Sequence, residues 1–209
     1  VGEGYLDGSG FTITVASGWS DMGDGRKLTL APSRFSVPFG GTGAPQGAVE
    51  VELSGSVAAG LALWNRLPYA DSVDVDFDPA KVAGQATARL RIELPLVNGV
   101  AADAINVTGH VETQGFASTQ PMFGHLVKNG GVSIAIDGSE AHITGKADVD
   151  GAPADLDLHL PLDGTGVAKT AVKLVLDDAA RKALGVDLGP FLSGPVTATV
   201  ESTGTAKDV

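Results

Sequence analysis

Ala86-Thr-Ala-Arg-Leu-Arg-Ile-Glu-Leu-Pro-Leu96 decides the fold class. Ala88, Leu90, Ile92, Leu94 and Leu96 fall at every second position, and Thr87, Arg89, Arg91 and Glu93 fill the positions between them. Successive residues of a strand point to opposite faces of a sheet, so this spacing predicts a strand with one dry side and one wet side.

The same period runs outward from it. Ile105, Val107 and Val111 alternate with Asn106, Thr108, His110 and Glu112; Val132, Ile134 and Ile136 alternate with Ser133, Ala135 and Asp137. Ala141, Ile143, Ala147 and Val149 oppose His142, Thr144, Lys146 and Asp148, and Leu156, Leu158, Leu160 and Leu162 oppose Asp155, Asp157 and His159. Val172, Leu174 and Leu176, then Val196, Ala198 and Val200, complete the series. Toward the N-terminus the period is less regular, with strands expected at 11–15, 27–30 and 49–53.

Turn chemistry separates these runs: Val97-Asn98-Gly99, Asn129-Gly130-Gly131, Asp137-Gly138, Asp150-Gly151 and Asp163-Gly164. Asn-Gly and Asp-Gly supply the positive φ of tight hairpins, so consecutive strands are expected to be antiparallel. One-sided alternation also fits antiparallel rather than parallel sheet. Short helices are expected at 57–67, 121–128 and 177–184, the last from its acidic start, basic end and closing Gly185. Gly84-Gln-Ala leading to Leu94-Pro-Leu96 is echoed by Gly151-Ala-Pro leading to Leu160-Pro-Leu162. Neither Pro95 nor Pro161 can donate a ladder hydrogen bond, so each belongs at an edge, a bulge or a strand end. The expected architecture is mainly β: an antiparallel meander forming a curved, open, groove-like sheet with a few short helices. The alternative is a β-sandwich. One segment of a larger protein is expected over 1–209, irregular over about 1–70 and regular over about 71–205.

Composition narrows the function classes. The 209 residues carry 14 Lys and Arg against 25 Asp and Glu, a net charge of −11. That balance repels phosphate backbones, so no nucleic-acid partner is expected. There is no cysteine, which excludes disulfides, thiolate metal sites and cysteine nucleophiles. Aromatics are 5% of the chain against 43% hydrophobic, so the apolar mass is aliphatic.

Motifs of chemistry are absent. The four histidines, His110, His125, His142 and His159, are dispersed, and three of them fall on polar strand faces, where they read as solvated side chains. Asp74, Asp76 and Asp78 lack the Gly and Glu positions of an EF-hand. The Gly-rich stretches at 8–10 and 40–43 lack the Lys and flanks of a phosphate loop. The expectation is no enzyme, no cofactor and no resident metal.

The chain resembles the AsmA-like superfamily of Gram-negative envelope proteins, in particular its YhdP/TamB-like branch. The resemblance rests on Ala58-Ala-Gly-Leu-Ala-Leu-Trp64 with Leu67-Pro68, on the 84–96 strand ending Leu94-Pro-Leu96, and on Gly145-Lys-Ala-Asp-Val-Asp-Gly-Ala-Pro153. Leu176-Asp-Asp-Ala-Ala-Arg-Lys-Ala-Leu-Gly185 followed by Leu192-Ser-Gly-Pro195 carries it furthest. It covers about residues 25–205. It implies a repeating β-groove, a periplasmic body whose inner-membrane anchor lies outside this segment, neighbouring segments of the same longer chain, and phospholipid movement between the inner and outer membranes.

The one feature of the sequence that asks for a function is the aliphatic face. Leu90, Ile92, Leu94, Val107, Val111, Ile134, Ile143, Leu156, Leu158, Leu160, Val172 and Leu174 are expected to line one concave face that shields phospholipid acyl chains. The rival reading is a structural or adhesive β-module with a closed core, binding protein or glycan through its loops. A third is a hydrolase with a site assembled from scattered Asp and His.

Overall fold

The computed structural model describes residues 2–41, 43–66, 78–122, 124–162, 166–183 and 191–205. Among them are strands β1 (Gly2–Asp7), β2 (Gly10–Val15), β3 (Gly18–Asp21), β4 (Lys27–Leu30), β5 (Ser33–Pro38) and β6 (Gln46–Ser56). Helix α1 (Val57–Trp64) follows, then β7 (Val82–Pro95), β8 (Asn106–Ser118), β9 (Val127–Asp137), β10 (Glu140–Val149), β11 (Ala152–Pro161) and β12 (Val167–Leu176). Helix α2 (Asp178–Ala183) and β13 (Val196–Thr205) close the order.

All thirteen strands belong to one sheet with the path β1-β2-β5-β6-β7-β8-β9-β10-β11-β12-β13, every neighbour antiparallel. Strands β4 and β5 share one edge of the eleven-residue β6, at Leu28↔Gly55 and Phe35↔Val49, and β3 extends β4. The path does not return on itself, so β1 and β13 are open rims. The fold is the mainly β, open, curved antiparallel sheet with short helices. Among the described residues no second sheet packs on it, which sets aside the sandwich.

In the N-terminal third the strands expected at 11–15, 27–30 and 49–53 form as β2, β4 and β6; β1, β2 and β5 continue the meander, while β3 and β4 leave its path as a side pair on β6. Strands β1, β3 and β5 are short and carry glycine, serine or proline where alternation would show, and their backbone ladders hold them instead. The helix expected at 121–128 is not formed. Met122 and His125 exchange backbone hydrogen bonds of 2.7 and 2.9 Å, and Gly124 between them takes a φ of 85°, which a right-handed helix cannot hold. Asn129-Gly130-Gly131 is not a hairpin turn but lies inside β9, where the register shifts against both neighbours. That is a bulge: Asn129 takes φ 53° and its amide donates to Asp148 Oδ2 at 2.6 Å. Asp137-Gly138 and Asp150-Gly151 do form hairpin turns. Asp163-Gly164, Asp74, Asp76, Leu184 and Gly185 lie outside the described residues.

Local chemistry sets the helix ends. The Ser56 hydroxyl accepts from Ala59 N–H at 3.1 Å, an N-cap for α1. Asp177 does the same for Ala180 at 2.7 Å before α2. Pro95 and Pro161 terminate β7 and β11, as missing donors require.

Antiparallel alternation places the ends of β6, β8, β10 and β12 at one margin of the sheet, so α1 and α2 occupy the same margin. There Met22, Leu28 and Ala59 form a small buried cluster with Ala62 and Leu63 packed against it. The other buried apolar residues are few and mostly alanine: Ala141, Ala147, Ala152, Ala154, Ala168, with Val57 and Leu176.

Candidate functional site

Ladder partners share a face, so the register fixes what each side of the sheet presents. One row runs Leu53, Ala88, Val111, Ile134, Ile143, Leu158 across β6 to β11. A second runs Ile13, Phe35, Val49, Ile92, Val107 across β2, β5, β6, β7 and β8. A third joins Leu156, Val172 and Val200 on β11, β12 and β13. Leu90, Leu94, Leu160 and Leu174 lie on the same side by the two-residue period, so all twelve expected residues share one face. The register adds Phe11, Ile13, Phe35, Val49, Val51 and Leu53 on β2, β5 and β6, from the part of the sequence where the period is less regular. Phe11 and Phe35 meet edge to face with ring centroids 6.5 Å apart.

This face is not closed. Each of the twelve residues is only partly buried, whereas the middle of a sandwich would bury such side chains fully. The small residues between them, Ala141, Ala147, Ala154 and Ala168, are buried. Leu28 stands opposite Gly55 on this side, so α1 covers one end of the face and leaves the rest.

The opposite face is polar and internally paired. Arg89 bridges to Glu52 at 3.1 Å, Arg91 to Glu50 at 2.6 Å and to Glu93 at 2.7 Å, and Lys146 to Asp155 at 3.2 Å. The Arg91 guanidinium, through its hydrogen bond and then Asn106 through its amide, holds the Glu93 carboxyl below the usual range. At the helix margin His125 Nδ1 lies 2.7 Å from Asp150 Oδ2, and Asp150 Oδ1 accepts from Leu126 N–H at 2.9 Å. The histidine contact first, and the backbone bond second, lower the Asp150 carboxyl. A shallow concavity of about 580 Å³ on the polar side involves Tyr5, Asp7, Arg34, Arg91 and Glu93. It is more polar than an acyl chain requires, and Arg91 and Glu93 within it already neutralise each other.

The register also gathers two histidines that lie seventeen positions apart in sequence. His142 on β10 is the direct ladder partner of His159 on β11, with rings stacked at 4.0 Å. Asp157, two residues before His159 and so on the same face, has Oδ1 2.7 Å from His142 Nε2 and 3.6 Å from His159 Nε2. His110 and His125 have carboxylate partners, Glu112 and Asp150, but no second histidine among the described residues. Among the described residues, no helix is long and apolar enough to cross a membrane.

Searches against protein-family models, curated proteins and solved structures find no match to this chain.

Proposed function

We propose that the aliphatic face is a conduit wall that shields phospholipid acyl chains, and that the chain is a segment of a periplasmic bridge carrying phospholipid between the inner and outer membranes. The observation that carries this reading is the unbroken row Leu53, Ala88, Val111, Ile134, Ile143, Leu158, partly buried throughout and without a covering layer among the described residues. Each methylene moved from water onto such a wall gains about 0.8 kcal/mol. The wall is aliphatic and has no donor or acceptor of its own in this row, so it grips no point of a chain and favours no fixed position along it. The headgroup remains in water beyond the face. The inner-membrane anchor and the neighbouring grooves belong to parts of the protein outside this segment, and neither catalysis nor a cofactor enters the mechanism.

The test is phospholipid uptake from vesicles, read by native mass spectrometry and by transfer of a fluorescent phospholipid between vesicle populations. Wild type should carry phospholipid. Ile92→Asp and Leu158→Asp should keep the native far-UV circular dichroism and lose uptake and transfer, because an open wall lets the new carboxylate hydrate. Wild type that takes up no phospholipid, or variants that take it up undiminished, would remove the reading.

A further inference from the structure

We propose that His142, His159 and Asp157 form a binding site for a divalent transition-metal ion of the zinc class on the polar face of β10 and β11. This site is independent of the aliphatic face and of any lipid it carries.

The donor atoms converge. One ligand atom from each of the three residues lies within 4.8 Å of the others. His142 Nε2 and His159 Nε2 flank Asp157 Oδ1 at 2.7 and 3.6 Å. An ion held tetrahedrally at about 2.0–2.2 Å sets its donors about 3.3–3.6 Å apart; the His159–Asp157 pair already has this spacing, and the His142–Asp157 hydrogen bond opens by less than about 1 Å as the ion replaces its proton. The pair is pre-positioned because His142↔His159 is a direct ladder pair, fixed by backbone rather than by flexible side chains. His159 is further oriented from behind: its Nδ1–H donates to Glu140 Oε1 at 2.8 Å, which directs the Nε2 lone pair toward Asp157. A carboxylate bonded to the distal nitrogen of a ligating imidazole fixes its tautomer and raises its basicity. His142 would shift its proton from Nε2 to Nδ1, leaving both Nε2 atoms as donors.

Charge and access agree with a cation. Asp157 and Glu140 contribute two negative charges, and Asp137 stands opposite Glu140 on β9. Lys169 stands opposite His159 on β12 and is the cation facing the site from that side; Ala135 opposite His142 and Ala171 opposite Asp157 are neutral. All three donor side chains are between 41% and 58% exposed, so an ion enters from solvent without opening the fold. Two nitrogens, one oxygen and no sulfur select zinc, copper or nickel over calcium and magnesium, which prefer all-oxygen shells. Three protein ligands leave a fourth tetrahedral position for water or a partner's donor.

The experiment titrates the tag-free, chelator-treated 209-residue chain with Zn²⁺ by calorimetry, with Mg²⁺ as the comparison. Histidine ring resonances are followed by NMR. One equivalent of Zn²⁺ should bind and shift the rings of His142 and His159 while sparing His110, and Mg²⁺ should not bind. His142→Ala and His159→Ala should weaken Zn²⁺ by at least about tenfold, and Glu140→Ala by about tenfold, the range for ligand-orienting partners. His110→Ala, whose Glu112 contact resembles a lone His–carboxylate pair, should leave affinity unchanged. The ring shifts in wild type need no variant to fold. Absence of one-equivalent binding, equal shifts at all four histidines, or unchanged affinity in both His142→Ala and His159→Ala would overturn the site.

Discussion

Gly109 is where the alternation of β8 lapses in the sequence, between Val107 and Val111, and its ladder partner explains why. It stands opposite Leu90 with φ 151°, and a Cβ there would meet Arg89 O at 2.2 Å and Leu90 Cδ2 at 2.9 Å. The gap in the pattern is the space Leu90 fills. Gly109→Ala should therefore destabilise by about 1–3 kcal/mol, the range for a residue forced into a disfavoured backbone region. Urea denaturation measures it, and a variant as stable as wild type would mean that the two strands part easily here. Asp150 shows a different limit of sequence reading. Asp-Gly announces a turn, but not that the carboxylate anchors the entry to β9 through His125 and Leu126 N–H. Its carboxyl is lowered in the fold, so its contribution is complete above the ordinary unfolded value of about 3.9 and is lost as pH falls through the lower folded value. The difference in thermal midpoint between wild type and Asp150→Asn should be present at about pH 6 and shrink toward zero in acid below that range. A difference that grows in acid would contradict the assignment.

At the scale of elements, the strands with strict alternation were legible and those without it were not. Strand β7, the quoted stretch, and β11, its echo, run in the same direction four strands apart and both end on proline at the same margin. Strands β1, β3 and β5 carried no comparable pattern because a ladder needs backbone groups, not side chains of a given type. Helix α2 was legible from its charges, but the reason it stays is Arg181, which no local pattern identifies. Its guanidinium is 5% exposed and donates to the carbonyls of Leu176 at 3.0 Å, Gly194 at 2.5 Å and Leu192 at 3.3 Å, with Asp178 as its counter-ion. One side chain thus joins the end of β12, helix α2 and the approach to β13. Arg181→Met removes those donors and leaves buried carbonyls unpaired, at a cost of about 2–3 kcal/mol. Hydrogen exchange should accelerate first in 192–198, ahead of β9 to β11. Uniform protection across the sheet in that variant would show that β13 is held by its ladder alone.

At the scale of the whole molecule, two physical facts act against each other. Among the described residues the sheet leaves both rims unpaired and one broad aliphatic face partly in water, and exposed edges and apolar patches both promote association. The net charge of −11 opposes it by mutual repulsion between copies. Repulsion between surface charges is screened over about 8 Å at physiological ionic strength and over about 3 Å at 1 M salt, whereas apolar attraction is not weakened by salt. The chain should therefore be monomeric in dilute buffer of low ionic strength and self-associate as salt is added. A short-chain phospholipid that occupies the aliphatic face should reverse the association at constant salt, because it covers the surface that drives it. Ile92→Asp and Leu158→Asp should blunt both effects. Sedimentation velocity across a salt series, with and without lipid, reads all of this directly. A chain that stays monomeric at 1 M salt would mean that its aliphatic face is covered in solution. Association that lipid leaves untouched would place the contact at the rims, where β1 and β13 offer backbone groups rather than apolar surface.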